Sequence, residues 1–112
     1  MGLATNARGQ LRQAQRVDAE ILRMLAGTLQ PDSLTPQEVG LDRNPVTRPA
    51  RAEPVWAWVH YGSRSVRVEA ELAGWTSAAG AIRWEVSKVG IHRAWVWLNA
   101  IEPRPQRPGP GE

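Results

Sequence analysis

Residues 55–101 read VWAWVHYGSRSVRVEAELAGWTSAAGAIRWEVSKVGIHRAWVWLNAI, and this stretch determines the fold of the 112-residue chain. It opens with Trp-Ala-Trp at 56–58 and closes with Trp-Val-Trp at 95–97. Residues two apart in an extended strand point to the same face, so each pair places two indoles on one side and small aliphatic residues on the other. A strand that is apolar on both faces needs cover on both faces.

Four runs in this stretch alternate between apolar and polar residues with a period of two. They cover residues 55–61, 65–75, 80–88 and 91–101. The breaks at 62–63, 76–80 and 88–90 are short, and breaks of this length favour hairpins. The pattern therefore predicts a four-stranded antiparallel meander.

Side-chain parity predicts how these strands pair. The predicted pairs, hairpin by hairpin, are Val59–Val66 and Ala57–Val68, then Leu72–Ile82 and Ala70–Trp84, then Trp84–Ala94 and Ile82–Val96. One face then collects a consistent core: Val55, Ala57, Val59, Val66, Val68, Ala70, Leu72, Ile82, Trp84, Val86, Ala94, Val96 and Leu98. Small residues flank Trp84 in this arrangement, as the packing of a large ring requires.

The opposite face carries charge on its central strands and tryptophan on its outer strands. Its members are Trp56, Trp58, His60, Arg67, Glu69, Glu71, Arg83, Glu85, Arg93, Trp95, Trp97 and Asn99. In a flat sheet the indoles would lie along two unpaired edges, which invites aggregation. If the sheet curls until its first and last strands meet, all four indoles converge, as in small barrels. We therefore predict a mainly β fold with an N-terminal helix (α+β), in which the meander curls into a small barrel.

The predicted interaction seam is formed by four tryptophans and two arginines: Trp56, Trp58, Trp95, Trp97, Arg67 and Arg93. The N-terminal helix has an apolar stripe wide enough to cover it. A second protein surface would use the indoles as contact anchors. A single-stranded nucleic acid would stack its bases on them, but that mode favours a basic groove, and here Glu69, Glu71 and Glu85 interrupt the arginines.

The segments on either side of the barrel have different patterns. Residues 1–30 contain an amphipathic helix, predicted over 7–26, whose apolar face includes Leu11, Ile21, Leu22 and Leu25. This face docks either on its own domain or on a partner. Residues 31–54 form a Pro-rich connector, in which Thr-Pro-Gln-Glu at 35–38 is a capping box that starts one helical turn. The barrel spans residues 55–102, and the Pro-rich tail 103–112 favours polyproline II.

Cysteine content, charge distribution and the lack of long apolar runs limit the kinds of chemistry and partner that we expect. The chain has no cysteine, which excludes disulfides and thiolate chemistry. The net charge of +3 is spread evenly, because residues 1–53, 54–102 and 103–112 each carry one more base than acid. No basic stripe of the kind that favours nucleic acid is visible, so nucleic acid is the weaker alternative. The chain also lacks the apolar run of a signal peptide or a membrane span, and we expect neither secretion by a signal peptide nor a membrane partner.

The sequence offers no catalytic constellation. His60 and His92 stand alone, without a matching acid or a metal-ligand spacing. Glu69 and Glu71 share a face, but arginines beside them indicate surface ion pairs. The glycines are isolated turn residues rather than a phosphate loop. We predict that the protein is not an enzyme and uses no cofactor or metal.

The block from 55 to 102 resembles a small SH3-like β-barrel. It is also similar to short proteins from GC-rich bacteria and their tailed phages, in Ala-Trp-Val at 57–59, Ala-Gly-Trp-Thr at 73–76 and Arg-Ala-Trp-Val-Trp at 93–97. The thirteen Arg against one Lys, and the absence of Phe, also point to a GC-rich genome. Tyr61 is the only tyrosine, so the tyrosine-rich peptide groove of signalling SH3 domains is not expected.

Phage particles use such barrels with extended arms as capsid decoration, minor capsid or head–tail joining proteins. The resemblance therefore implies a virion protein, assembled in the host cytoplasm, that acts through protein contacts in a homo-oligomer or larger symmetric assembly. Two alternatives stay open: a nucleic-acid-binding barrel and a small regulator that binds a host protein.

Overall fold

A computed structural model describes residues 19–105, and these residues are mainly β. The elements in chain order are α1 (residues 19–26 of those described), α2 (Pro36–Val39), β1 (Glu53–Tyr61), β2 (Arg64–Trp75), β3 (Ala79–Val86), β4 (Gly90–Trp97), a 3₁₀ turn (Leu98–Ala100) and β5 (Ile101–Pro103). The five strands form one antiparallel sheet in the order β4-β3-β2-β1-β5. The antiparallel, mainly β fold is confirmed, whereas the prediction of four strands is wrong.

The fifth strand arises because the chain leaves β4 earlier than its alternating pattern indicates. The N–H of Leu98 donates to the carbonyl of Ala78 at 3.0 Å, and the N–H of Ile101 closes the 3₁₀ turn on the carbonyl of Leu98. Residues 101–103 then pair with residues 55–57 of β1, at the opposite edge of the sheet from β4. Leu98 is consequently exposed, which corrects its predicted place in the core.

The core occupies the face that side-chain parity predicts. Every residue of the predicted core face other than Leu98 is buried. A Cβ atom at Gly80 in β3 would lie 2.5 Å from Cδ1 of Ile101 and 2.8 Å from Cδ1 of Leu72. Ile101 belongs to an edge strand that is three places from β3 in the sheet order, so it reaches β3 across the core. The sheet is therefore strongly curled around its aliphatic interior.

Two of the three predicted hairpin registers are correct. Val59 pairs with Val66, and Leu72 pairs with Ile82, although a bulge follows between Leu72 and Gly74. The predicted Ala70–Trp84 pair lies one step beyond the last observed pair of that ladder.

The third register is wrong by two residues, because Trp84 pairs with His92 and Ile82 with Ala94. The turn closes one residue earlier than predicted, with the N–H of Val89 donating to the carbonyl of Val86 at 3.0 Å and Lys88 at a φ of 67°. A shift of two residues preserves parity, so every side chain keeps its predicted face.

A short piece of the connector bridges the two edges of the curled sheet. The N–H of Asp32 donates to the carbonyl of His60 in β1 at 2.7 Å, and the N–H of Leu34 donates to the carbonyl of Trp95 in β4 at 2.9 Å. The N–H of Trp95 donates back to Oγ of Ser33 at 2.8 Å. We call residues 32–34 the strap. The predicted direct meeting of the first and last strands is wrong, since β5 and the strap lie along the edge of β1.

Helix α1 packs against the core of the sheet, and α2 begins at its predicted capping box. Leu25 and Ala26 of α1 are buried in the aliphatic core, and Ile21 and Leu22 pack against it. The described part of the helix face, at residues 21–26, thus docks on the core of its own domain; Leu11 lies outside the described residues. The predicted capping box of α2 is confirmed, with Oγ1 of Thr35 accepting from the N–H of Glu38 and the Glu38 carboxylate accepting from the N–H of Thr35.

Candidate interaction surface

The outer face of the sheet, opposite the core, exposes two of its four tryptophans. Trp58 in β1 is 48% exposed and Trp97 in β4 is 45% exposed. Trp56 and Trp95 are half-buried. The alternation of small buried residues with indoles places all four rings outward, on strands whose inner side is anchored in the core. Trp58 and Trp97 are therefore large apolar groups held on a rigid support.

Trp56 is half-covered by contacts within the chain. The guanidinium of Arg67 stacks 4.4 Å from the indole centre, and that of Arg104 lies 5.9 Å from it. Arg67 also pairs with Glu102 across a 3.5 Å contact. Trp56 pairs directly with Glu102 in the β1–β5 ladder, which explains why these groups meet. Trp56 and Arg67 of the predicted seam are thus brought together.

Arg104 also belongs to this cluster, although no sequence pattern indicates it, because the residue falls within the Pro-rich tail. Its Nε donates to the carbonyl of Val55 and its Nη2 to the carbonyl of Ala70, each at 3.3 Å. These bonds tie the end of β5 to both β1 and β2. Only the pairing of β5 with β1 brings this side chain over the sheet.

The remaining seam residues lie on β4. The backbone of Trp95 is bonded to the strap. Arg93 is exposed and stands directly opposite Arg83 of β3. Arg83 pairs with Glu71 at 3.5 Å, whereas Arg93 makes no ion pair within residues 19–105. Because β1 and β4 are not paired strands, the predicted seam is divided between two places on the outer face.

The two histidines occupy different environments. His60 is exposed, and its Nδ1 lies 3.1 Å from Oγ of Ser65 on the neighbouring strand. His92 is half-buried, and its Nδ1 lies 2.8 Å from the hydroxyl of Tyr61. Neither contact includes an acid that would orient the ring for proton transfer.

Tyr61 connects His92 to the centre of the core. Nε1 of Trp84 donates to the Tyr61 oxygen at 3.2 Å, and the indole N–H has no acceptor role. The same hydroxyl lies 2.8 Å from Nδ1 of His92 and forms a second hydrogen bond there, with the donor set by the tautomer of the imidazole. Burial raises the pKa of the Tyr61 hydroxyl, and the hydrogen bond from Trp84 partly offsets the rise. The trio satisfies the polar atoms of two buried aromatic side chains.

Other candidate ligand sites are weak in the part of the chain that the structure describes. Residues 19–105 contain no group of three or more His, Cys, Asp or Glu side chains arranged to hold a metal ion. A shallow open depression lies beside α2 and is lined by Pro36, Gln37, Leu41, Asp42 and Arg43. No helix within the described range is long and apolar enough to cross a membrane.

No protein-family model matches the chain. Comparison with curated proteins finds no significant match, and neither does comparison with solved structures.

Proposed function

We propose that this protein is a non-enzymatic structural subunit that binds neighbouring proteins through Trp58 and Trp97. The supporting observation is the exposure of about half of each indole on a rigid sheet. An indole buries on the order of 200 Å² in a contact and brings one N–H donor, and tryptophan is enriched among the residues that dominate protein interfaces. These properties suit adhesion to a protein surface.

We infer further that the domain is a small SH3-like barrel. The order β4-β3-β2-β1-β5, the 3₁₀ turn before the last strand and the return of that strand to β1 support this inference. The strap adds support, because it joins the two edges that a barrel must close.

The proposed setting is a tailed-phage particle, where the subunit serves as a capsid decoration, minor capsid or head–tail joining protein. The sequence resemblance at 57–59, 73–76 and 93–97 carries this part of the proposal. A small regulator that binds a host protein would use the same surface, so the particle itself must be tested.

Nucleic-acid binding is less well supported by the outer face. Arg67 is engaged with Glu102 and Arg83 with Glu71. Glu69 and Glu85 are exposed on the same face. A strand of nucleic acid stacking on the indoles would meet carboxylates as often as free guanidinium groups, which lowers its affinity.

The experiment is quantitative mass spectrometry of particles purified from the host that carries this gene. We expect the chain at a copy number set by the particle symmetry. Trp58→Ala and Trp97→Ala should each lower its incorporation about tenfold or more, since the loss of an interface anchor costs about 2 kcal/mol or more. Met24→Ala is the matched control, because Met24 is exposed on α1, away from the outer face of the sheet.

Two results would contradict the proposal. The first is the absence of the chain from purified particles. The second is unchanged incorporation of a folded Trp58→Ala, Trp97→Ala double variant. Binding of the wild-type chain to single-stranded DNA that weakens steeply with salt would favour the nucleic-acid alternative instead.

A further inference from the structure

The outer edge of β4 has backbone groups that point away from the sheet. The N–H and the carbonyl of Trp95 both bond to the strap, so they face away from β3. Backbone direction alternates along an antiparallel strand, so the N–H and carbonyl groups of Arg93 and Ile91 face the same way. Within residues 19–105 no strand or strap residue bonds to these four groups. Among the residues that the structure describes, the edge is therefore open at Ile91 and Arg93.

The side chains on this edge are also without partners in the described range. Ile91 is 61% exposed on the outer face. Arg93 lies directly opposite Arg83 of β3. Like charges in this position destabilise the strand pair unless an acidic group lies nearby. Glu85 lies opposite Ile91 on β3 and is exposed, and it makes no ion pair among the described residues. One basic and one acidic side chain thus flank the same exposed isoleucine.

We propose that two copies of this chain pair through their β4 edges, antiparallel, about a two-fold axis at His92. Ile91 of one copy then pairs with Arg93 of the second copy, and Arg93 with Ile91. Each pair exchanges two backbone hydrogen bonds, so all four open groups of each copy are satisfied. The contact extends the sheet across both copies. It is separate from the tryptophan contacts and does not depend on the proposed particle.

Charge complementarity supports this register. Across the joined sheet, one row reads Glu85, Ile91, then Arg93 of the second copy. Two strand spacings separate the Cα atoms of the two charged residues, about 9.6 Å. The long arginine side chain can cover the exposed isoleucine and reach the carboxylate. The two-fold axis repeats this row, so Arg93 and Glu85 of each copy gain a partner of opposite charge.

The adjacent registers are less favourable. A two-fold axis at Arg93 would place the two Arg93 side chains opposite each other. It would also pair Ile91 with Trp95, whose backbone is already bonded to the strap. A two-fold axis at Ile91 would pair Arg93 with Val89, whose N–H already donates to the carbonyl of Val86 in the turn. The register centred on His92 uses the open groups and no others. Its contact is short, so we expect weak association, with a dissociation constant on the order of 0.1–1 mM.

Amide hydrogen exchange measured by NMR on the full chain, between about 20 μM and 2 mM, tests the pairing directly. These concentrations bracket the expected dissociation constant. The amides of Ile91 and Arg93 should become more protected as the concentration rises, while sedimentation equilibrium reports a monomer–dimer equilibrium. Fast exchange at every concentration would overturn the proposal. Protection that is independent of concentration would also overturn it, because a segment of the same chain would then cover the edge.

Charge exchange tests the register. Arg93→Glu should weaken the dimer about tenfold or more, because it converts two attractive contacts into two repulsive ones. Glu85→Arg should do the same, and the double variant, Glu85→Arg with Arg93→Glu, should restore association to within about threefold of wild type. Failure of the double variant to recover, with all three variants folded, would refute the register.

A backbone substitution separates edge pairing from side-chain attraction. Ile91→Pro removes an N–H that faces outward, so the ladder between β3 and β4 keeps its hydrogen bonds. We expect this variant to stay folded and monomeric up to about 2 mM, above the expected dissociation constant. Ile91→Thr, which keeps the N–H, is the matched control and should still dimerise. Dimerisation of Ile91→Pro with wild-type affinity would overturn the proposal.

Discussion

Removal of the Tyr61 hydroxyl tests the buried hydrogen bonds between Tyr61, Trp84 and His92. Tyr61→Phe keeps the ring, but it removes the acceptor of the Trp84 N–H. Trp84 is only 2% exposed, so water cannot readily replace the lost partner. A buried donor left unsatisfied costs about 1–3 kcal/mol. His92 also loses its partner but is half-buried and can be hydrated, so its contribution is small.

We therefore expect Tyr61→Phe to lower the free energy of unfolding by about 2 kcal/mol. The corresponding decrease in Tm is roughly 10 °C for a domain of this size. Urea unfolding followed by circular dichroism measures the difference. Ser65→Ala is the matched control, because it removes an exposed hydrogen bond to His60 and should cost less than about 0.5 kcal/mol. If both substitutions lower the free energy of unfolding by the same small amount, the hydrogen bond from Trp84 to Tyr61 is not present as described.

Because the Tyr61 hydroxyl is buried, we expect the protein to lose stability at alkaline pH. Burial raises the pKa of Tyr61 in the folded state above its ordinary value, which is about 10 in the unfolded chain. The unfolded state therefore releases this proton first, and stability falls as the pH rises from about 10 toward the folded-state pKa. Urea unfolding at a series of alkaline pH values should show a steeper loss for wild type than for Tyr61→Phe. If stability fell equally with pH in the two proteins, the raised pKa of Tyr61 would be contradicted.

Two further substitutions test the curl of the sheet and the strap. Gly80→Ala should lower the free energy of unfolding by about 1 kcal/mol, because its methyl group forces Ile101 and its neighbours to move; a more stable variant would show that β5 does not press on β3. Ser33→Ala should speed exchange of the Trp95 amide, because it removes the hydroxyl that accepts that hydrogen, and an unchanged exchange rate would contradict the strap.

The core face could be predicted because strand side chains alternate strictly. That prediction survived a register error of two residues between β3 and β4, since such a shift moves no side chain to the other face. The error itself came from the turn. The sequence pattern favoured a reversal near Gly90, but the observed turn is centred on Lys88, which takes a left-handed conformation.

The candidate surface could be predicted only in part. Parity correctly placed Trp58 and Trp97 on the outer face, because that depends on strand alternation alone. Their predicted convergence with Trp56 and Trp95 depended on β1 meeting β4. The chain instead inserts β5 and the strap, and neither segment has a pattern of apolar residues strong enough to reveal a pairing partner.

Local sequence patterns were enough to predict the inward-facing strand residues other than Leu98, the face that carries the tryptophans and the capping box that starts α2. These are local properties, set by the period of a strand and by hydrogen bonds over three residues. Long-range packing, by contrast, places β5 beside β1, Arg104 over Trp56 and the strap across the sheet edges. The β5–β1 pairing joins segments distant in the chain through backbone groups, which every residue carries, so no residue pattern identifies the partner, and Arg104 reaches Trp56 only because that pairing brings it there.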